Sequence, residues 1–430
     1  MNYTETIAYL YARLPVFHRI GAAALKPGLQ NITALCEALG NPQQQFKSIH
    51  IAGTNGKGST SHLLAAVLQS AGYKVGLHTS PHLKSLTERF KINGQLAPES
   101  MVVDFVAQHR ALIENIEPSF FEITVAMAFD YFARERVDIA VIEVGLGGRL
   151  DSTNILQPEL SVITNISFDH TDLLGDTLPK IAFEKAGIIK VDTPVVVSET
   201  HPETAQVFRQ KAQATNAPID FAEDFYQVVH SQLAQGRREV TVCHTLTHST
   251  TTYHLDLMGQ YQLKNLLGVL QSVDVLRQMG HAIADEALRD GLAHCTRLTS
   301  FKGRWQVLQQ NPTVVADVAH NPAGLAENVG QLAQYPYRQL HLVLGFAKDK
   351  DIVSILRLFP TDARFYFCSF DLPRAMSIEE LVYISEQQNL SSSFYRDVNE
   401  ALIAARLQAT ADDFIYVGGS TFVVAEVEEV

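Results

Sequence analysis

Residues 48–61 read Ser48-Ile-His-Ile-Ala-Gly-Thr-Asn-Gly-Lys-Gly-Ser-Thr-Ser61. A short β-type run leads into a glycine-rich turn carrying a lysine and a serine, and a helix start follows. Triphosphate binding needs this order: glycines let backbone N–H groups close around phosphate oxygens, and the helix turns its positive dipole end toward them. Gly56 and Gly58 shape the turn, Lys57 reaches terminal phosphates, and Ser59 offers a hydroxyl to Mg2+. The usual P-loop pattern departs from this chain at two places. It has a glycine separated by four residues from Gly56-Lys57, where this chain has Ile51, and a serine or threonine directly after the lysine, where this chain has Gly58. A plain glycine-rich turn is the competing reading. The flanks weigh against it, because Ile49 and Ile51 alternate before the loop and Leu63, Leu64, Val67 and Leu68 stripe the helix after it.

At 430 residues the chain exceeds one ordinary core and suggests two or three domains. With 46% hydrophobic and 19% charged residues it reads as a soluble globular protein. A net charge of −12 argues against nucleic acid or an anionic membrane surface as the main partner. If the ligand is ATP, its charge must be met locally by a few lysines and arginines and by Mg2+. Cys36, Cys243, Cys295 and Cys368 are scattered, with no metal-type pair and no disulfide framework, which fits a reducing cytoplasm. The first residues lack a basic stretch followed by an apolar core, so no signal peptide is expected. The longest apolar run, around Val137 to Leu146, is interrupted by Asp138 and Glu143 and is too short to span a bilayer.

Up to about residue 200, buried-type strands (Lys47–Ala52, Lys74–His78, Asp138–Val144, Leu160–Asn165, Pro194–Ser198) alternate with helical spacing at Ser59–Ala71, Glu122–Arg134 and Leu178–Ile188. That alternation predicts a parallel sheet covered on both faces. Asn93-Gly94 within Arg89–Leu96 predicts a hairpin beside it. Short antiparallel strands follow at Val228–Val229, Glu239–Cys243 and Thr252–Leu257, then helices at Tyr261–Met279 and Ala284–His294. Near Arg297–Gly303 the α/β pattern restarts, with strands at Thr313–Ala316, Gln339–Leu344, Arg364–Cys368 and Asp413–Val417. Helices are expected between them at Pro322–Leu332, Ile352–Leu358, Ile378–Gln387 and Asn399–Ala409. The expected domains are 1–297 and 298–430, joined by one link, with chemistry in a cleft at the carboxyl ends of strands.

Several acids and bases fall at such strand ends. Glu143 closes the run Asp-Ile-Ala-Val-Ile-Glu just before Gly145-Leu-Gly-Gly-Arg-Leu-Asp151, where an NTPase holds Mg2+ directly or through water. Gly145, Gly147 and Gly148 mark a sharp turn or a close approach to a ligand. His170 sits in the next strand-end loop, where a neutral imidazole can join oxygen ligands on a divalent cation. A satisfied or exposed histidine is the plainer reading. Lys185 has an apolar setting in Phe183-Glu-Lys-Ala-Gly-Ile-Ile-Lys190, and burial would favour its neutral amine. An ion pair with Glu184 or Glu143 is the plainer reading there. In the second domain Asp317 suits ribose hydroxyls and His320 a phosphate, although the segment also reads as a helix-capping turn.

Read together, these segments resemble the Mur ligase superfamily, specifically folylpolyglutamate synthase/dihydrofolate synthase, in its bifunctional bacterial form. The resemblance runs through Gly53 to Ser59, Thr79-Ser-Pro-His-Leu83, Phe120-Phe-Glu122, Glu143 to Asp151, Asn165 to His170, Glu184 to Lys190, Gly303-Arg304 and Asp317 to Pro322. The family's own loop is the modified P-loop form. The resemblance implies a modified P-loop NTPase domain with a mostly parallel sheet, plus a smaller C-terminal Rossmann-like α/β domain. It implies that Gly56, Lys57, Gly58 and Ser59 hold ATP phosphates, and that Ser80 and Glu143 bind one Mg2+. Glu143 with His170 would help bind a second, and Lys185 would be carbamylated as a metal ligand. Asn265 would meet the adenine, Arg304 would be the interdomain arginine on the phosphates, and Asp317 the ribose ligand. Leu29, Phe121, Leu150 and Asp151 match the dihydropterin-site segments. The second domain has Asp-Val-Ala-His where many members have Asp-Gly-Ala-His, and the surroundings of Arg304 also vary.

The implied reaction is amide ligation through an acyl phosphate, with ATP, L-glutamate and dihydropteroate or a reduced folate as substrates. A monomer without nucleic-acid or membrane partners is expected. A Mur-type ligase for another carboxylate would need an extra N-terminal domain, and only 52 residues precede Gly53. A P-loop switch, which would couple hydrolysis to motion of a partner, and a non-catalytic nucleotide-binding module also compete. The aromatic pair Phe120-Phe121 and Asp151 favour both carboxylate substrates, dihydropteroate and a reduced folate, since a pterin ring wants stacking and a polar anchor; phenylalanines that merely fill the core would read the same way.

Overall fold

A computed structural model of the chain describes residues 1–16, 21–24, 26 and 28–430. They form two compact units: residues 1–256 with 262–301, and residues 257–261 with 302–430. The division therefore falls at 301/302 instead of 297/298, and the chain passes between the units three times, which corrects the single expected link. The reason is local bonding: Gln331 Nε2 donates to the Met258 carbonyl at 3.1 Å and Tyr261 Oη to Asp317 at 2.6 Å, so residues 257–261 belong with the second unit.

The first unit is built on eight strands: β1 (Lys47–Ala52), β2 (Val75–His78), β3 (Phe90–Ile92), β4 (Gln95–Leu96), β5 (Ile139–Glu143), β6 (Leu160–Ile163), β7 (Val195–Val197) and β8 (Ile219–Phe221). Their order in the sheet is β4-β3-β2-β5-β1-β6-β7-β8. All neighbours are parallel except the β2–β3 and β3–β4 pairs, so the Asn93-Gly94 hairpin extends one edge. β1 is central, buried from Ser48 to Ala52, with Ile51 beside Glu143 of β5 and Ala52 beside Ile163 of β6. The connection after β1 leads to one side of it and the connection after β6 to the other. The carboxyl ends of β1, β5 and β6 thus open at a topological switch point, where such sheets bind ligands.

Helices cover both faces because an all-apolar parallel strand must be buried twice. The helix Lys57–Ser70 is buried almost all round, from Gly58 to Leu68. Phe120–Arg134, capped by a reciprocal Ser119–Glu122 box, packs Phe129 and Phe132 into a core with Phe105 and Val125. Gly76 of β2 accepts the Phe132 ring, whose atoms would stand 3.0 Å from any added Cβ. A separate three-stranded antiparallel sheet, β9 (Tyr226–Ala234), β10 (Arg237–His244) and β11 (Thr250–Leu255), also belongs to this unit.

The second unit has a six-stranded sheet of β12 (Gln306–Gln309), β13 (Thr313–Ala316), β14 (Leu340–Leu344), β15 (Arg364–Cys368), β16 (Ser392–Tyr395) and β17 (Phe414–Gly418). The order is β12-β13-β17-β14-β15-β16, parallel except for β12. β12 and β16 escape the sequence reading because both are edge strands of half-buried, largely polar residues, with no apolar alternation to mark them. Trp305 anchors the core against Tyr335, Phe414 and Tyr416. Among the described residues no helix is long and apolar enough to cross a membrane.

Because Phe129 is wholly buried and its ring stands 6.1 Å from that of Phe46, Phe129→Ala should cost the first unit about 3–5 kcal/mol. The check is an earlier urea midpoint for that unit; an unchanged midpoint would contradict the packing described.

Candidate active site

The loop after β1 is pinned to the loop after β6. Thr54 N–H donates to the Asn165 carbonyl at 2.8 Å and Asn55 N–H to Asn165 Oδ1 at 2.9 Å. Thr164 Oγ1 donates to the Asn55 carbonyl at 2.6 Å, and Thr54 Oγ1 to that of Ser167 at 3.1 Å. These bonds fix the glycine-rich turn before any ligand arrives. Gly56 then caps the helix Lys57–Ser70 with φ of 85°, and an added Cβ would lie 2.3 Å from Asn265 Oδ1. Only glycine combines that conformation with that clearance.

Two lysines converge on one carbonyl. Lys57 Nζ donates to the Gly53 and Thr54 carbonyls, both at 3.0 Å, and Lys185 Nζ donates to the same Gly53 oxygen at 2.8 Å. Lys185 is buried, and its partner is neither of the carboxylates considered from sequence: Glu184 instead pairs with Arg149 at 2.9 Å. Burial first, and then the Lys57 charge, hold the Lys185 amine well below the usual lysine range, with Asp169 and Asp151 pulling the other way. The physical reason is plain: burial disfavours the charged ammonium and another cation stands nearby.

Glu143 ends β5 with its side chain 4% exposed, and Ser80 N–H donates to Glu143 Oε2 at 3.0 Å. The serine after β2 and the acid that ends β5 therefore meet. Asp169 and His170 follow β6; His170 has φ of 49° and caps the short helix Thr171–Leu174, with Nε2 3.9 Å from Asp169 Oδ1. Ser59 is buried, and its Oγ accepts from Gln262 Nε2 at 3.1 Å, while Gln262 Oε1 accepts from Asn265 Nδ2 at 2.8 Å. Sequence reading missed Gln262, although its three-residue spacing from Asn265 on one helix placed both on the same face. It also missed Arg89, which is buried, lies 5.6 Å over the Phe120 ring and donates from Nε to His82 Nδ1 at 2.9 Å. Burial brings Arg89 down to about 10, with Tyr11, Glu143 and Glu88 opposing.

This donor set suits Mg2+. It offers a buried carboxylate, serine hydroxyls and the Asp169–His170 pair at neighbouring strand ends. Among the described residues no three His, Cys, Asp or Glu side chains form a metal cage. Mg2+ is commonly held by one or two carboxylates together with substrate phosphates, and that is what these residues can supply.

Of the expected substrate residues, Leu29 and Phe121 pack against the same apolar cluster, and the Phe121 ring would stand 2.4 Å from a Cβ at Gly145. Leu150 is 49% exposed. Asp151 is buried, with Oδ2 accepting from Leu146 N–H at 2.8 Å and Oδ1 from Thr153 N–H at 3.0 Å. In the second unit Asp317 follows β13. It accepts from Tyr261 Oη at 2.6 Å, Trp305 N–H at 2.7 Å and Ala319 N–H at 2.9 Å. Burial and that carboxylate push Tyr261 well above the usual phenol range. His320 Nδ1 lies 3.0 Å from the Val318 carbonyl, and Arg304 Nη1 donates to the Gly303 carbonyl at 3.2 Å.

Residues 51–273 match the Mur ligase middle domain, and residues 303–421 match the Mur ligase, glutamate ligase domain. The chain is 33% identical over 439 residues to the dihydrofolate synthase/folylpolyglutamate synthase of Bacillus subtilis, covering 99% of this chain and 98% of that protein. It is 36% identical over 434 residues to a probable bifunctional folylpolyglutamate synthase/dihydropteroate synthase of Haloferax volcanii; that match takes in 99% of this chain, which spans only 50% of the relative's length. Among solved structures it is similar to E. coli FolC in complex with DHPP and ADP, with a TM-score of 0.86, 30% identity and coverage of 100% and 97%. It is likewise similar to Mycobacterium tuberculosis folylpolyglutamate synthase complexed with ADP, with a TM-score of 0.88, 30% identity and coverage of 98% and 96%. With both domains matched and the glycine-rich loop, Glu143 and Asp317 at the ends of their strands, the chain belongs to the Mur ligase family, in its folylpolyglutamate/dihydrofolate synthase branch, and is a ligase that forms C–N bonds.

Proposed function

We propose that this ligase uses ATP to join the amino group of L-glutamate to the carboxylate of dihydropteroate, of a reduced folate, or of both. The observation that carries the reading is the gathering of the phosphate loop, the Ser80–Glu143 pair and Lys185 at one sheet end. The relatives' names and the ADP and DHPP of the solved neighbours support the choice of substrates.

In the proposed reaction a carboxylate oxygen attacks the γ-phosphorus and ADP leaves. The glutamate amine then attacks the acyl phosphate carbonyl, loses a proton, and inorganic phosphate leaves. Carboxylate and triphosphate repel each other, so fixed positive charge is the main catalytic requirement. Lys57 is to leave its loop carbonyls for the terminal phosphates, and Arg304 is assigned to the same charge. Asn265 is assigned to adenine, Asp317 to ribose and His320 to phosphate. Ser59, Ser80, Glu143 and His170 are the residues to hold two Mg2+ ions, which when bound supply Lewis-acid charge neutralisation. A neutral Lys185 amine is a nucleophile for CO2: a C–N bond forms, one proton is released, and an anionic carbamate replaces the neutral amine. Its depressed basicity supports this modification. Leu29, Phe121, Leu150 and Asp151 are proposed to line the pterin end. The free, mostly buried cysteines support a reducing, cytoplasmic setting, and a monomer is proposed.

The deciding experiment incubates the protein with ATP, Mg2+, glutamate and either dihydropteroate or tetrahydrofolate, and weighs the products. One added glutamate with ADP is expected and EDTA should abolish it; release of AMP would reject the acyl-phosphate route. Lys185→Ala should lower turnover at least about a hundredfold, with partial recovery in acetate, and intact wild-type protein should carry the mass of one CO2. An unmodified, fully active wild type would refute the carbamate. Gly56→Ala forces alanine into a left-handed conformation costing roughly 1–2 kcal/mol, besides the Asn265 clash, so ADP affinity by calorimetry should fall at least about tenfold.

A further inference from the structure

The turn that follows Asp151 contains a directed chain of hydrogen bonds reaching the strand before the phosphate loop. Asp151 Oδ1 accepts from the Thr153 backbone and also, at 2.5 Å, from Thr153 Oγ1. A threonine hydroxyl has one proton. With that proton on Asp151, Thr153 Oγ1 can only accept from His50 Nε2, which lies 2.8 Å away. His50 must therefore carry its hydrogen on Nε2 and leave Nδ1 bare. Nδ1 is indeed buried without a hydrogen-bond partner among the described residues. His50 and Thr153 are both 0% exposed. Burial, then the Lys190 charge, bring the imidazole down to about 3, so the ring stays neutral.

His50 lies in β1, three residues before Gly53, between Ile49 and Ile51. An apolar residue there would avoid the cost of burying a half-satisfied imidazole. The turn does not need the imidazole to hold its backbone. Lys190 Nζ donates to the Asn154 carbonyl at 2.7 Å, and Asn154 Nδ2 donates to the Arg149 and Gly187 carbonyls at 3.0 and 3.1 Å. What His50 and Thr153 add is the direction in which Asp151 faces, and Asp151 Oδ2 in turn holds Leu146 in the glycine-rich loop after Glu143.

We propose that His50 and Thr153 are positioning residues that tie the strand of the phosphate loop to the Asp151 carboxylate and so set the placement of the carboxylate-bearing substrate. The inference rests on the reading of Asp151 and its loop as part of the substrate site.

The test compares Thr153→Val with Thr153→Ser, and His50→Leu with His50→Gln, whose amide N–H replaces Nε2–H. Thr153→Val should raise KM for dihydropteroate or reduced folate about tenfold, the worth of one charge-assisted hydrogen bond, with KM for ATP within twofold. His50→Leu should shift the same constant about threefold, and the Ser and Gln variants should restore it. Equal rises in both KM values, no rise, or no restoration would overturn the proposal. The 15N spectrum of histidine-labelled wild type, with the His50 signals identified by their loss in His50→Gln, is the second readout. A protonated Nε2 and bare Nδ1 are expected, and the opposite tautomer or a charged ring would overturn the relay even where Thr153→Val fails to fold. A wild type that ligates glutamate to neither substrate sinks the proposed function instead, while the spectrum still judges the relay.

Discussion

The first unit depends on the complete burial of β1. With β5 in register on one side and β6 on the other, β1 has no free edge, and its side chains from Ser48 to Ala52 are all enclosed. A strand held this way cannot slip by one residue without turning His50 to the opposite face and Ile49 and Ile51 with it. The loop that leaves it inherits that rigidity. Thr54 and Asn55 are then tied to Asn165, so the backbone N–H groups of the turn are aimed by the sheet and need no ligand to order them. Preorganisation of this kind lets electrostatic groups act without reorganising during the reaction.

The same rigidity explains the unusual electrostatics near Gly53. One carbonyl accepts from both Lys57 and Lys185, an arrangement that two full ammonium charges would resist. Taking Lys185 out of water relieves it by lowering its basicity. Nearby, Glu143 and Arg89 oppose one another's burial costs through their charges, and His82 is held by the arginine. Buried charge therefore gathers at these strand ends with fixed neighbours: Lys185 on the Gly53 carbonyl, Glu143 on Ser80 N–H and Arg89 on His82.

Much of this was legible from the chain alone. The β-run, glycine turn and helix around Gly56 lie where the sequence puts them, and period-2 and period-3.6 patterns placed the central strands and nine helices near their observed positions, while the helices Glu99–Ile116 and Pro202–Ala214 went unread. Glu143 could be singled out because strand ends are where parallel sheets present polar groups, whereas Ser80 entered only through the family resemblance. The weak points were physical in origin. The edge strands β12 and β16 carry half-buried polar residues and so leave no apolar rhythm to read. The attachment of residues 257–261 to the second unit rests on side-chain bonds to Gln331 and Asp317, which lie more than fifty residues away.

The sequence by itself determined the element types, the glycine positions and the identity of the charged groups, because these follow from local sterics and periodicity. Tertiary structure decided the partners. Lys185 pairs with a carbonyl instead of a carboxylate because the sheet brings Gly53 to it and leaves Glu184 beside Arg149. His50 reaches Thr153 across 103 residues, and Gln262 reaches Ser59 across 203. Such contacts are set by strand order and helix packing, which no local pattern encodes. They set the partner of the His50 imidazole and, through burial and the Lys57 charge, the lowered basicity of the Lys185 amine.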